Sequence, residues 1–308
     1  MSKKFLAAVI LVTFFFPAGI NAQTLQLPDF KFTARSYILV DEDSGEILAD
    51  KSADEVMPMA SLTKLMTALV VLESKIDWNK KIKVQKADVA LDKTIMPGEE
   101  VTTSTLLALS LIPSSNNATN ALVRAAGFNT KDFVAKMNKK AIDFDLTATH
   151  FVEPTGIDPH NVSTARDVAQ LSRIALANKQ IRDIASRPEL NWTGTGTKGK
   201  KFVRLVKNTN RLLDDSVTSH PTYRIIGSKT GHIEEGGYSL MVFAQSKNRR
   251  RLIAVVLGAT NHFARFQEVD ELLEWAARML KPLSHIAINY RFEFVRIQND
   301  ILRAKVRC

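Results

Sequence analysis

The sequence predicts an α+β fold, in which strands from both ends of the chain form one antiparallel sheet and helices from the middle pack against it. Three observations carry this expectation. Strand-like apolar runs lie near the start, at residues 36–40 and 46–49, and near the end, at 238–245 and 252–258. Helical periodicity dominates the middle. An amphipathic helix over 263–280 follows the last strand, with an apolar stripe suited to lie on a sheet. The 308 residues are 45% hydrophobic and 24% charged, which excludes disorder and leaves room for one large domain or two smaller ones. A single cysteine, Cys308, excludes a disulfide scaffold, and 13 Gly with 10 Pro exclude a collagen-like chain.

Taken in order, residues 1–22 read as a secretory signal. Lys3 and Lys4 form a positive start, residues 5–16 are apolar apart from Thr13, and Asn21-Ala22 places a small residue before the cut. The apolar core is too short for a comfortable membrane span. The mature chain is therefore expected from about Gln23, in the periplasm. Residues 36–40 form a strand, 41–45 a turn and 46–49 the returning strand. From Ser61, the spacing of Leu62, Leu65, Met66, Leu69 and Val70 predicts a helix. Further helices are expected over 105–111, 117–126, 131–144 and 164–177, the last opened by Thr164 and Asp167 in the manner of a capping box. Lys247 and Arg249-Arg250-Arg251 read as a solvated hairpin turn between the final strands.

Residues 23–281 then make one domain, and 282–308 a tail. In the tail Ile286, Ile288, Tyr290, Phe292 and Phe294 alternate with Ala, Asn, Arg and Glu, which is strand periodicity. The tail is too short for a second stable domain, so it is expected to pack on the first or stay loosely ordered. Its alternating aromatics leave peripheral membrane contact open. The formal net charge is +10, yet no nucleic-acid module accompanies it, and an export signal argues against a nucleic-acid partner. A basic surface instead suits an anionic envelope, whether lipid head groups or wall polymers.

Three short segments carry the chemistry. In Ser61-Leu62-Thr63-Lys64, serine and lysine three apart share one helix face, so the amine reaches the hydroxyl. A serine hydroxyl is a poor nucleophile at neutral pH, and a lysine of lowered pKa can serve as its base. Alone, the pair reads more simply as an N-cap serine and an exposed helix lysine. Lys229-Thr230-Gly231, with His232 after it, would display an amine and a hydroxyl on a strand, with glycine allowing close approach of a ligand. Pro113-Ser114-Ser115-Asn116-Asn117 offers hydroxyl and amide groups between two helices, and S-x-N fits both Ser114-x-Asn116 and Ser115-x-Asn117.

In this order S-x-x-K, S-x-N and K-T-G form the set of class A β-lactamases and penicillin-binding proteins. The segment Met59-Ala60-Ser61-Leu62-Thr63-Lys64-Leu65-Met66-Thr67 resembles the nucleophile segment of the low-molecular-mass serine D-Ala-D-Ala peptidases. Glu153-Pro154-Thr155-Gly156, Ser163-Thr164-Ala165-Arg166-Asp167 and Ser228-Lys229-Thr230-Gly231-His232 extend the likeness, which runs from about Ser36 to Leu280. The resemblance implies the penicillin-recognising fold: a five-stranded antiparallel sheet flanked by helices, plus a helical subdomain carrying the S-x-N loop. It favours the first register and implies Ser61 as acylated nucleophile, Lys64 as general base, and Ser114 and Asn116 in the proton network opposite Lys229. It also implies Thr230 at a substrate carboxylate and the N–H groups of Ser61 and His232 as oxyanion hole. The substrates implied are peptidoglycan stem peptides, the covalent inhibitors β-lactam antibiotics. No metal or other cofactor is implied.

Carboxypeptidase members carry arginine in an N-R-N-x-L-L segment before K-T-G. Here Asn208-Thr209-Asn210-Arg211-Leu212-Leu213 holds Thr209 at that place, with Arg211 or Arg204 as the neighbours able to substitute. This resembles the D,D-endopeptidase subgroup, so cleavage of a cross-bridge is favoured over removal of a terminal D-Ala. Three other functions compete. A class A-like β-lactamase would use a loop glutamate, which Glu153 superficially resembles, but no L-N follows and S-x-N lacks aspartate. A non-catalytic wall-binding protein would be expected to lack Ser61 or Lys64. Metal hydrolysis has only His150, Asp158 and His160, without ligand spacing.

Overall fold

The computed structural model describes residues 28–29, 31–90, 92–214 and 220–282. The signal reading of 1–22 and the alternating segment 286–294 lie outside the described residues. In chain order, β1 (Ser36–Asp41) and β2 (Ile47–Lys51) make a hairpin, and β3 (Met57–Pro58) leads through a 3-10 turn, Ala60–Thr63, into α1 (Lys64–Glu73). Next come β4 (Lys81–Lys83), β5 (Glu100–Thr102), α2 (Thr103–Leu111), α3 (Asn116–Ala125) and α4 (Thr130–Asp143). They are followed by β6 (Val162–Ser163), α5 (Ala165–Ala177), α6 (Lys179–Ala185), β7 (Glu189–Thr195) and β8 (Lys201–Lys207). A meander of β9 (Tyr223–Ile233), β10 (Gly237–Ser246) and β11 (Arg251–Ala259) ends in α7 (Ala264–Met279).

The main sheet has the order β2-β1-β11-β10-β9 and is antiparallel throughout. Both of its faces are covered. Met241, Phe243, Ile253 and Val255 point into the larger core, with Leu65 and Met66 of α1 and Val168 and Leu171 of α5. Leu240, Val242, Ala254 and Val256 point the other way, onto Val269, Leu272 and Leu273 of α7. A strand buried on both faces loses polar alternation, which is why 238–245 and 252–258 read as continuous apolar runs. Burying one such side chain stabilises the fold by about 1.5–3 kcal/mol.

The predicted elements appear within a few residues of their expected ends, and four points differ. A second, four-stranded sheet, β4-β5-β7-β8, joins the helical part. Thr164 caps α5 through the N–H of Asp167, but the Asp167 carboxylate turns away to accept from Ala148 N–H and Thr149 Oγ1, so the capping box is half made. The basic turn is not simply solvated. Arg250 pairs with the fully buried Asp41, and Arg251 with Glu42 and Asp43, so the end of β1 neutralises two of the three arginines. Finally, Ser61 lies in the 3-10 turn, and α1 itself begins at Lys64.

Candidate active site

The nucleophile candidate is held in a turn that three chain segments crowd. Ala60, immediately before Ser61, has φ of 48°. A left-handed backbone at a residue with a side chain costs about 1–3 kcal/mol and persists only where neighbours enforce it. Two glycines do so here. A Cβ on Gly231 of β9 would lie 3.1 Å from the Ala60 Cβ and from the Met59 carbonyl oxygen. Gly156 has φ of 80°, and a Cβ there would fall 1.9 Å from the Ala60 carbonyl oxygen. Strand and loop therefore press directly on the Ser61 turn.

Lys64 is completely buried. Its Nζ lies 2.8 Å from Ser61 Oγ, 2.7 Å from Asn116 Oδ1 and 2.6 Å from the Thr155 carbonyl oxygen, and when charged it donates to all three. Burial pulls its pKa down to about 7, against the opposing charges of Glu153 and Asp92. A neutral amine has two N–H groups and one lone pair. With Asn116 Oδ1 and the Thr155 carbonyl taking the two hydrogens, the lone pair points at the Ser61 hydroxyl. This is the geometry of a base that removes the Ser61 proton.

The S-x-N ambiguity is resolved by what each side chain touches. Ser114, at φ of 63°, turns its hydroxyl to Lys229 Nζ at 2.8 Å, and Asn116 meets Lys64. Ser115 instead caps α3 through the N–H of Ala118 and donates to Asp92, and Asn117 bonds Ala90, Asp92 and Ile95. Those two residues build the loop, while their neighbours face the site. Lys229 is almost fully buried, and its Nζ also donates to the Thr230 carbonyl at 2.9 Å. Burial first, then the positive charges of Lys64 and Arg265, push its pKa well below that of an ordinary lysine. The structure thus brings Ser61, Lys64, Ser114, Asn116 and Lys229 into one hydrogen-bonded chain of groups, interrupted only where substrate would enter.

Glu153 has a part that the sequence reading missed. Its Oε2 accepts from Thr155 N–H and Oγ1 at 2.6 and 2.7 Å. Its Oε1 accepts from Gly156 N–H, from Ile157 N–H at 2.9 Å and from Asn161 Nδ2 at 3.0 Å. A carboxylate saturated by five donors has no lone pair to spare for a water, so it does not act as a deacylating base. It folds the loop that offers the Thr155 carbonyl to Lys64. The sequence signal was an acidic residue two and three places before backbone donors, ending in a glycine.

A cleft of about 890 Å³ opens over Ser61, bordered by Ser114, Thr209, Arg211, Thr230, His232 and Arg265. Thr230 Oγ1 donates to Thr209 Oγ1 at 2.7 Å, so an uncharged hydroxyl pair borders the cleft here. Arg204 does not reach in: it forks onto Glu99 and lies over the Phe202 ring. Arg211 stays at the cleft, with its guanidinium 5.6 Å from the Phe263 ring centre. Arg265 is buried behind β9, donates to the Gly231 carbonyl, and has its pKa lowered to about 10 by burial. The His232 ring stacks on Tyr238 at 3.9 Å, and burial with the charge of Arg265 lowers its pKa. His160 meets Asp158 at 2.8 Å, while His150 bridges Val162 through its backbone. Among the described residues, ligand atoms of a different trio, His220, Asp270 and Glu274, lie within 4.8 Å of one another.

The family model for D-alanyl-D-alanine carboxypeptidases, Peptidase S11, matches residues 21–261. The chain belongs to that family. The D-alanyl-D-alanine endopeptidase of Haemophilus influenzae is 31% identical over 227 residues, covering 72% of this chain and 74% of that one. The D-alanyl-D-alanine carboxypeptidase DacC of Escherichia coli is 33% identical over 290 residues, covering 89% of this chain and 68% of that one. Among solved structures, a Streptomyces DD-transpeptidase superposes with a TM-score of 0.75 at 28% identity, over 82% of this chain and 100% of that one. The fold is therefore the penicillin-recognising one, and the protein is a serine-type D-alanyl-D-alanine peptidase of cell-wall metabolism, acting on peptidoglycan peptides. Relatives named endopeptidase and relatives named carboxypeptidase both match the chain at about 30% identity.

Proposed function

We propose that the chain is a periplasmic D,D-endopeptidase that opens peptidoglycan cross-bridges through an acyl-enzyme on Ser61. Lys64, neutral near pH 7, takes the Ser61 proton as Oγ attacks the D-alanyl carbonyl. The N–H groups of Ser61 and His232 receive the developing oxyanion. The proton then passes to the leaving amine through the Ser114 hydroxyl, which Lys229 holds in place. Asn116 keeps Lys64 turned toward Ser61. Water on the Ser61 side then hydrolyses the ester, with Lys64 again as base.

The observation that carries the endopeptidase reading is the Thr209–Thr230 hydroxyl pair. A hydroxyl cannot neutralise a terminal carboxylate as a guanidinium does, whereas it suits a leaving group that continues as peptide. Arg204 is committed to Glu99, and Arg211, though at the cleft, lies with its guanidinium over the Phe263 ring. The test is a direct comparison on purified protein. Release of monomers from cross-linked dimers should exceed release of free D-Ala from pentapeptides, and the opposite ratio makes the chain a carboxypeptidase.

A further inference from the structure

The second sheet presents two unlike faces. One packs on the core through Ile82, Val101 and Trp192, with Phe202 against them. By strand register, the opposite face carries Lys81 and Lys83 on β4 and Lys201 and Lys207 on β8, all exposed. Lys198 and Lys200 in the connecting turn are exposed as well. Only Glu100 and Glu189 oppose them on that face, and Lys207 also lies 3.4 Å from Asp214. In the middle of this basic surface stand Val203 and Leu205, 70% and 52% exposed. Where β5 and β7 pair at a single position, Glu100 with Thr195, a hollow of about 520 Å³ opens, rimmed by Lys81, Thr102, Thr193, Lys201 and Val203.

This face is continuous with the active site. Glu189 and Lys207, the register pair at the base of the β7–β8 hairpin, also line the cleft over Ser61. A cross-linked wall is a polymer, and only one peptide of it enters that cleft. A strand running out of the cleft past Glu189 and Lys207 meets this face. Stem peptides carry free carboxylates, which lysines attract, and sugar rings have apolar faces, which Val203 and Leu205 match. The threonine hydroxyls between them supply hydrogen bonds to amides and sugar oxygens. A lipid bilayer fits less well, because the apolar part is two isolated side chains without an aromatic ring.

We propose that the outer face of β4-β5-β7-β8 is an exosite for cross-linked peptidoglycan, holding a carboxylate-bearing strand while its neighbour occupies the Ser61 cleft. The inference rests on the peptidase reading of that cleft, and binding separates the two. The full chain with Ser61→Ala is pelleted with purified cross-linked sacculi at low salt, with and without the added pair Lys83→Glu and Lys201→Glu. Reversing these charges is expected to weaken sacculus binding about fivefold or more, and binding by the parent should fall as salt rises. With Ser61 restored, the reversed variant should acylate with penicillin at the parent's rate, which also shows that it is folded. Val203→Ser, which leaves every charge in place, should weaken binding too. Equal pelleting of all forms overturns the exosite. So does a variant that keeps sacculus binding but loses binding to vesicles of phosphatidylglycerol and phosphatidylcholine, since the face would then belong to the membrane. Charge-sensitive pelleting in a chain that fails to acylate upholds the exosite and sinks the acyl-enzyme instead.

Discussion

Lys229 and Ser114 lie 115 positions apart in the chain, yet Nζ meets Oγ at 2.8 Å across the catalytic cleft. One comes from the edge strand of the main sheet, the other from the turn between two helices of the insertion. The contact joins the two parts of the fold at the point where a substrate must lie between them. It also sets a second buried amine near Lys64, whose positive charge adds to burial in lowering the pKa of Lys229.

Penicillin should leave one covalent adduct on the protein and none on Ser61→Ala, as read by intact mass. Lys64→Ala should fold and acylate about 10²–10⁴-fold more slowly, the loss typical of a general base. Acylation of Lys64→Ala at the normal rate would move the base to Lys229.

Acylation should rise with pH through about 7 and then level off, because burial lowers Lys64 to that value. Below it the amine is protonated and cannot accept from Ser61. Stability should move the same way. The unfolded chain holds the Lys64 proton up to its ordinary 10.5, so it binds more protons than the folded chain between about 7 and 10.5, and this contribution favours folding more as pH rises. A flat acylation profile between pH 5.5 and 8.5 would contradict the assignment.

Glu153→Gln should shift that rising limb to lower pH, since the Glu153 charge opposes the lowering of the Lys64 pKa. Loss of one saturated acceptor should cost about 1–3 kcal/mol of stability by thermal unfolding. The lifetime of the penicilloyl-enzyme should not change. A much longer lifetime would mean that Glu153 activates the deacylating water after all.

Gly156→Ala should cripple acylation even where the protein still folds. The added methyl meets the Ala60 carbonyl at 1.9 Å, so either the loop or the Ser61 turn must shift. A shift of about 1 Å at a reacting group costs on the order of 10²-fold. Normal kinetics in this variant would show that the loop does not set the position of Ser61.

Thr209→Arg should raise release of free D-Ala from pentapeptides relative to cleavage of cross-linked dimers. The new guanidinium would stand beside Thr230, able to grip a terminal carboxylate. An unchanged ratio would remove Thr209 as the specificity determinant.

What could be read in the sequence follows what is local. Ser61 and Lys64 share a face by spacing alone, and the two-sided burial of β10 and β11 shows as unbroken apolar runs. The register of Ser114 and Asn116 was not legible from the residues, because Ser115 and Asn117 offer the same chemistry and differ only in which way a left-handed Ser114 turns them. The second sheet escaped notice because β4 and β5 are three residues each, too short for a period to show, while β7 and β8 lack polar alternation, with Val203 and Leu205 exposed and Arg204 on the packed face. Arg250 looked solvated because its partner, Asp41, lies at the far end of the chain. The loop-folding part of Glu153 was missed for a related reason: it depends on the turn that Thr155, Gly156 and Ile157 make around the carboxylate.

The place of β1 in the sheet has a consequence for how the protein is made. The first strand pairs with β11, Ser36 opposite Leu257, so the sheet cannot close until nearly the whole catalytic chain has been made. Until then the β1–β2 hairpin offers an open edge that includes Ile38 and Leu39, both bound for the interior. Long-range pairing of this kind folds late and slowly, whereas the helices between can form from near neighbours. A nascent or truncated chain ending before β11 should therefore be protease-sensitive and in need of a chaperone. Such a fragment should not hydrolyse the wall, because the Ser61 turn gains its contact with Gly231, and Ser114 its bond to Lys229, only when the last strands arrive.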